Sequence, residues 1–144
     1  MGLFHSTVDQ MYTPYVRPQE YGNRSDTRWA ALTDERGTGL LVAGRPRFDF
    51  AARRFRVRDI AAARHTVDLV DAGAVILSID YAQHGIGSAS CGPGPLEPYE
   101  LRAAPFRFGM ALRGFDTNGS APSRLARNLF LADFSPHSGQ QFME

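Results

Sequence analysis

Two stretches of period-two alternation constrain this chain more than any other feature. In Ala74–Tyr81 the side chains of Val75, Leu77, Ile79 and Tyr81 project one way, and those of Ile76, Ser78 and Asp80 the other. In the second, Phe106, Phe108, Met110 and Leu112 alternate with Arg107, Gly109, Ala111 and Arg113, which predicts a strand with one buried face and one wet face. The segments between them read the same way. Thr27–Thr33 is a predicted strand anchored on Trp29, and Asp34–Thr38 is a hairpin connection in which Gly37 supplies a positive φ. Leu40–Ala43 returns from that turn, and Gly44 and Pro46 are expected to break it. Arg47–Ala51 alternates again with Phe48 and Phe50 on one face, while Thr66–Val70 and Tyr99–Leu101 are expected to be short and extended. Tyr12–Val16 is also extended, since Pro14 and Pro18 forbid helix. Only Arg53–His65 suits a helix, with Val57, Ile60, Ala61 and Arg64 on one stripe. The predicted fold class is therefore all-β, an antiparallel β-sandwich or barrel with one short helix.

Length allows one domain: the chain has 144 residues, and 43% apolar content can build a core. Residues 1–115 are read as that domain. The Gly-, Ser- and Pro-rich remainder, 116–144, is read as a mobile tail in which Leu125–Phe134 could form a turn or two of helix against a neighbour. A formal net charge of +1 calls for no nucleic-acid partner. All 16 basic residues are arginine. No apolar run approaches the roughly 20 residues that a membrane span needs. The N-terminal residues lack the basic and apolar regions of a secretory signal, so the short myristoylation match at Gly2 and the glycosylation matches at Asn23 and Asn118 are expected to be idle. The lone Cys91 excludes an intrachain disulfide and suits a cytoplasmic location.

Chemistry concentrates around Tyr81–Pro95, a stretch too rich in Gly, Ser and Pro to form a core of its own. Gly85, Gly87 and Ser90 resemble a phosphate-binding turn, but Gly92, Pro93, Gly94 and Pro95 forbid the helix that a dinucleotide site requires. Cys91 and His84 could pair as thiol and base, yet nothing in the sequence supplies a third, orienting group. His5, His65, His84 and His137 are too scattered for a metal site. Glycosidic chemistry needs two carboxylates held roughly 5 to 9 Å apart. Asp80, Glu97 and Glu100 are the suggestive acids near the loop, and sequence cannot pair them. The arginines at 45, 47, 53, 54, 56 and 58 are interleaved with Asp49 and Asp59, so a solvated face or a domain contact is favoured over phosphate binding.

The N-terminal segment carries a resemblance. Tyr12-Thr13-Pro14-Tyr15-Val16-Arg17-Pro18-Gln19-Glu20, followed by Gly22-Asn23-Arg24, is similar to the YxPY-[IV]-x-P-x-E-x-G-x-R signature of the small-chain, C-terminal domain of family 2 β-galactosidases. Thr27-Arg28-Trp29, Asp80-Tyr81 with His84-Gly85-Ile86-Gly87, and Gly92-Pro93 leading to Tyr99 agree in the same order, so the resemblance covers residues 3 to 113. It implies part of a galactose mutarotase-like supersandwich. It implies a partner too: the remaining domains or large subunit, whose separate TIM barrel holds the two catalytic glutamates and the Mg and Na sites. No catalytic residue, metal ligand or cofactor is implied for this segment. The implied substrate is a galactoside and the implied assembly a homo-oligomer. In that family a loop reading GxGxxDSWGP brings a Trp to the sugar pocket. Here Ser88-Ala89-Ser90-Cys91-Gly92-Pro93 stand at those positions, so the substrate-binding candidates are Cys91, Ser90 and His84. A thiol cannot stack on a sugar as an indole can.

Two further readings compete. One is a stand-alone carbohydrate-binding module, which would need exposed aromatic rings, with Tyr81, Tyr99 and Trp29 as candidates. The other is a structural remnant without sugar affinity. As part of a larger sandwich, the chain is expected to expose apolar surface or to self-associate.

Overall fold

The computed structural model of the chain describes residues 2–84 and 92–131. Four strands form the sheet: β1 (Arg24–Thr33), β2 (Thr38–Arg53), β3 (Ile76–Asp80) and β4 (Gly109–Asp116). The order is β1-β2-β3, and β4 also pairs with β2. Both β3 and β4 run antiparallel to β2. Two α-helices, α1 (Val57–Ala62) and α2 (Pro122–Leu131), and three short 3-10 turns complete the described elements. The architecture is thus mainly antiparallel sheet with a few short helices, one more α-helix than expected.

The Asp34–Thr38 connection forms as read. Gly37 has φ +85°, and the Asp34 carboxylate accepts hydrogen bonds from the backbone N–H groups of Arg36 and Thr38, each at 2.9 Å. The return strand does not break at Gly44 and Pro46. It continues to Arg53 and changes partner on the way, pairing with β4 from Thr38 to Arg45 and with β3 from Asp49 to Arg53. Pro46, preceded by a cis peptide bond, lies between the two paired stretches, where no β3 or β4 residue stands opposite it.

Three other expectations are corrected. The helix occupies only Val57–Ala62, because the residues up to Arg53 belong to the β2 ladder and Ala63 is already extended. Thr66–Asp68 is a 3-10 turn instead of a strand: the Asp68 carboxylate accepts from the backbone N–H groups of Arg64 and His65 at 3.0 and 2.9 Å, and this bends the chain locally. Of Tyr99–Leu101, expected to be extended, Tyr99 instead closes a 3-10 turn over Glu97–Tyr99 with Pro98 in its first positions, while Glu100 is extended.

By their internal packing the described residues fall into two units, the first drawn from Met1–Thr27 and Arg47–Arg107 and the second from Arg28–Pro46 and Phe108–Glu144. In the second unit Leu41, Phe115, Leu125 and Ala126 form a buried cluster, against which Trp29, Ala31, Leu129 and Phe130 pack. Packing therefore reaches past residue 115 into the segment set apart as a tail. Pro122 opens α2 where a missing N–H costs nothing, and the Arg45 guanidinium donates to the Phe130 carbonyl near its other end. The buried face of β4 is the one bearing Phe115, two residues along from the position opposite Leu41. The expected row is instead open: Met110 is exposed and Leu112 is 57% exposed.

In the first unit Phe48, Asp49, Ala51, Ala52 and Arg53 are all buried. Consecutive buried residues mean that both faces of this part of β2 are covered. Ala51 and Ala52 suit such crowding, and Ile60 of α1 joins them in the interior.

Candidate functional site

The loop-side candidates that can be placed, Asp80, Tyr81 and His84, belong to the first unit. β3 delivers them: it runs antiparallel to Asp49–Arg53, so that Asp80, its last residue, stands opposite Asp49. Two acidic residues are thus cross-strand partners, and each carboxylate accepts a hydrogen bond. Asp49 accepts from the backbone N–H of Asp26 at 3.0 Å, and Asp80 accepts from the Gln83 amide at 2.8 Å. His84 comes next, exposed. Ser90 and Cys91, the other two expected sugar contacts, lie outside the described residues.

Beyond the loop, residues 96–107 are exposed throughout. Glu97 and Glu100 both hold Arg102, at 3.5 and 2.9 Å, so they neutralise a neighbour and form no acid pair with Asp80 among the contacts described. One ring contact returns this segment to the residue just past β3: Phe106 stacks on Tyr81, with centroids 4.5 Å apart and planes 19° from parallel. The alternation places Phe106 in the buried row of a strand. Its actual partner is set by a contact distant along the chain, and no local pattern signals it. Trp29, a candidate exposed ring, packs on the second unit's core, whereas Tyr81 and Tyr99 are exposed.

The signature segment is fastened to the far end of β2. Arg53 is only 2% exposed; its Nε donates to the Tyr21 carbonyl at 2.8 Å, and a terminal nitrogen meets the Glu20 carboxylate at 2.9 Å. Its guanidinium also lies 5.7 Å from the Tyr21 ring centroid. Tyr12 packs edge-on against Tyr21 and Phe55, at 5.0 and 6.0 Å between centroids. Burial raises the Tyr21 hydroxyl above its ordinary pKa, partly opposed by the charge of Arg53. Arg54 grips Asp9 through two nitrogens, at 2.6 and 3.0 Å, and these hydrogen bonds hold the Asp9 carboxyl below the usual carboxylate range. Asp9, Arg54, Tyr12, Tyr21, Phe55 and Val8 line a cavity of about 140 Å³.

The arginine series is thus not one anion-binding patch. Arg47 pairs with Asp26, Arg53 with Glu20, Arg54 with Asp9, and Arg56 and Arg58 with Asp59, while Arg45 bonds a carbonyl. Among the described residues no group of three or more His, Cys, Asp or Glu could hold a metal ion. No helix among them is long and apolar enough to cross a membrane.

Comparison with known proteins agrees with the signature. The family model described as "Beta galactosidase small chain" matches residues 1–112. A beta-galactosidase of Priestia megaterium is 34% identical over 87 residues, covering 60% of this chain and 8% of that protein. One of Actinobacillus pleuropneumoniae is 30% identical over 107 residues, covering 74% of this chain and 10% of that protein. One of Kluyveromyces lactis is 36% identical over 110 residues, with the same coverage of 74% and 10%. The chain spans about a tenth of the length of these relatives. It carries the signature of the beta galactosidase small chain in order and matches its model over most of its length, and it belongs to that family.

Proposed function

We propose that this chain is a C-terminal segment of a β-galactosidase. It completes the sugar site of a separate TIM-barrel catalytic domain and so supports hydrolysis of terminal non-reducing β-D-galactose residues. The observation that carries this reading is the match to the small-chain family over residues 1–112 in a chain spanning about a tenth of its relatives. The sheet is then one part of a larger sandwich. The open row on β4, with Leu112 57% exposed, supports this, because an apolar face of that kind is ordinarily covered. Ser90, Cys91 and His84 line the sugar pocket, Cys91 as a wall and not as a stacking surface. The assembly is a cytoplasmic homo-oligomer. On this reading the catalytic carboxylates belong to the separate domain; among the described residues Asp49 and Asp80 each accept a hydrogen bond from within the chain.

The test is galactoside hydrolysis by the chain alone and again with the remaining segment of the enzyme. Activity only in the mixture is expected. Activity from the chain alone, or none in the mixture, would overturn the reading. A second reading, a stand-alone carbohydrate-binding module, is favoured by one observation: Tyr81 and Tyr99 are exposed. Binding of galactosides without any complementation would move the assignment there.

A further inference from the structure

The buried cluster of the second unit is closed by residues from outside the family match. Trp29, Ala31 and Leu41 lie on β1 and β2, within residues 1–112 that the small-chain model matches. With Phe115 of β4 they make an apolar sheet face. Its cover is α2, Pro122–Leu131, which lies wholly beyond the match. Residues shared with the family thus present a face that the matched stretch does not itself close.

The cover fits loosely. Leu125 and Ala126 are buried, but Leu129 and Phe130 are only partly so, and Trp29 stays partly exposed beneath them. A cavity of about 230 Å³ opens beside the contact, with Gly114, Phe115, Ser120 and Leu125 in its wall. A finished core leaves few voids larger than a water molecule. A hydrogen bond from the Arg45 guanidinium to the Phe130 carbonyl ties the later part of α2 to β2. A helix of ten residues is marginal in water without packing, so α2 keeps its shape only while seated. A second sheet laid face to face on the strands would cover them more completely than one row of helix side chains does.

We propose that α2 is a displaceable lid. It occupies the seat on Trp29, Ala31, Leu41 and Phe115 where an apolar sheet face of the remaining β-galactosidase segment docks, and it unseats when that segment arrives. The proposal rests on the β-galactosidase reading above and names the surface through which the chain joins its partner. In the free chain the lid keeps the seat out of water, and the cost of lifting it sets how fast the two segments combine. The open row of Met110 and Leu112 is on the other face of β4 and needs no displacement.

The deciding experiment mixes the full chain with the remaining segment of the enzyme. Hydrogen exchange of the backbone amides in residues 122–131 is followed by mass spectrometry, alongside the rate at which galactosidase activity appears. Loss of α2 protection on association is expected. Two substitutions on α2, neither of them in the seat, change the lid's hold in opposite directions. Leu129→Ala removes apolar contact and is expected to speed the appearance of activity about tenfold. Asn128→Ala, on the exposed side, raises helix propensity and is expected to slow it about threefold. Unfolding temperatures verify that both variants fold. A helix with a purely stabilising role predicts the opposite sign, with Leu129→Ala combining more slowly. A Leu129→Ala variant no faster than the wild type would therefore overturn the lid. So would α2 amides as protected in the complex as in the free chain, which would place docking on the open row instead. Activity scores the β-galactosidase reading separately. An active mixture with α2 still seated sinks the lid alone. An inactive mixture sinks the reading; the lid then stands if the segments associate and α2 loses protection, and falls as well if they do not associate.

Discussion

Arg53 sets the terms at the scale of single residues. It is 2% exposed, and a charge so deep is tolerable only while its partners stay in place. The Glu20 carboxylate and the Tyr21 carbonyl supply them, and both belong to the signature segment. Removing the guanidinium takes the side-chain donor from the Tyr21 carbonyl and leaves the half-exposed Glu20 carboxylate without its ion pair. Arg53→Met is therefore expected to destabilise the fold by about 3 kcal/mol, at the lower end for a broken buried pair because Glu20 is partly in water. Urea denaturation measures it. Lys in the same place cannot address two acceptors with a planar fork and is expected to rescue little of the loss. The signature's Glu20 thus has a structural role before any functional one.

At the scale of elements, the β1–β2 hairpin rests on Gly37. Its φ of +85° lies in the left-handed region, and a Cβ there would run into the Thr117 hydroxyl. Gly37→Ala is expected to cost about 1 to 2 kcal/mol from the backbone alone, read as a lowered unfolding temperature. That turn was legible because its chemistry is local: a glycine and an Asp cap within five positions. The continuation of β2 through Gly44 and Pro46 was not. Partner strands, absent from any short window, decide whether a strand goes on, and β2 exchanges one partner for another there. Thr66–Val70 misled for the opposite reason. Its β-branched residues suggest a strand, but Asp68 captures two backbone N–H groups first. On β4 the alternation separated the two faces and assigned burial to the wrong one, because α2, which covers Phe115, lies later in the chain. For the site, Asp80, Tyr81 and His84 could be placed beside the loop from sequence. Phe106 could not, since its stacking on Tyr81 is a contact between distant segments.

At the scale of the molecule, the carboxyls of Asp9 and Asp68 and the phenol of Tyr21, among the described residues, couple stability to pH. Asp9 is held low chiefly by its hydrogen bond from Arg54, and Asp68 by the backbone N–H groups of His65 and then Arg64. Both are depressed in the fold, so their contribution is present above the ordinary carboxylate range and lost as pH falls below about 4. Tyr21 is raised by burial, so its contribution is present below about pH 10 and lost as pH rises beyond that. Unfolding temperature is thus expected to form a plateau with an acid and an alkaline shoulder. Asp9→Asn should lower the plateau slightly and flatten the acid shoulder while leaving the alkaline one unchanged. An acid limb identical in variant and wild type would mean that Asp9 takes no part.

The exposed stretch 96–107 has a consequence for how the chain is held together. Residues 100–108 belong to no helix or strand, whereas β4, directly after them, is stitched to β2 from Gly109 to Asp116. The covalent backbone of that stretch is therefore only one of the bonds that tie β4 to the strands before it. A protease cutting after Arg102 would make two polypeptides of one without undoing a rung of the ladder. The severed pieces would travel together until a denaturant parted them.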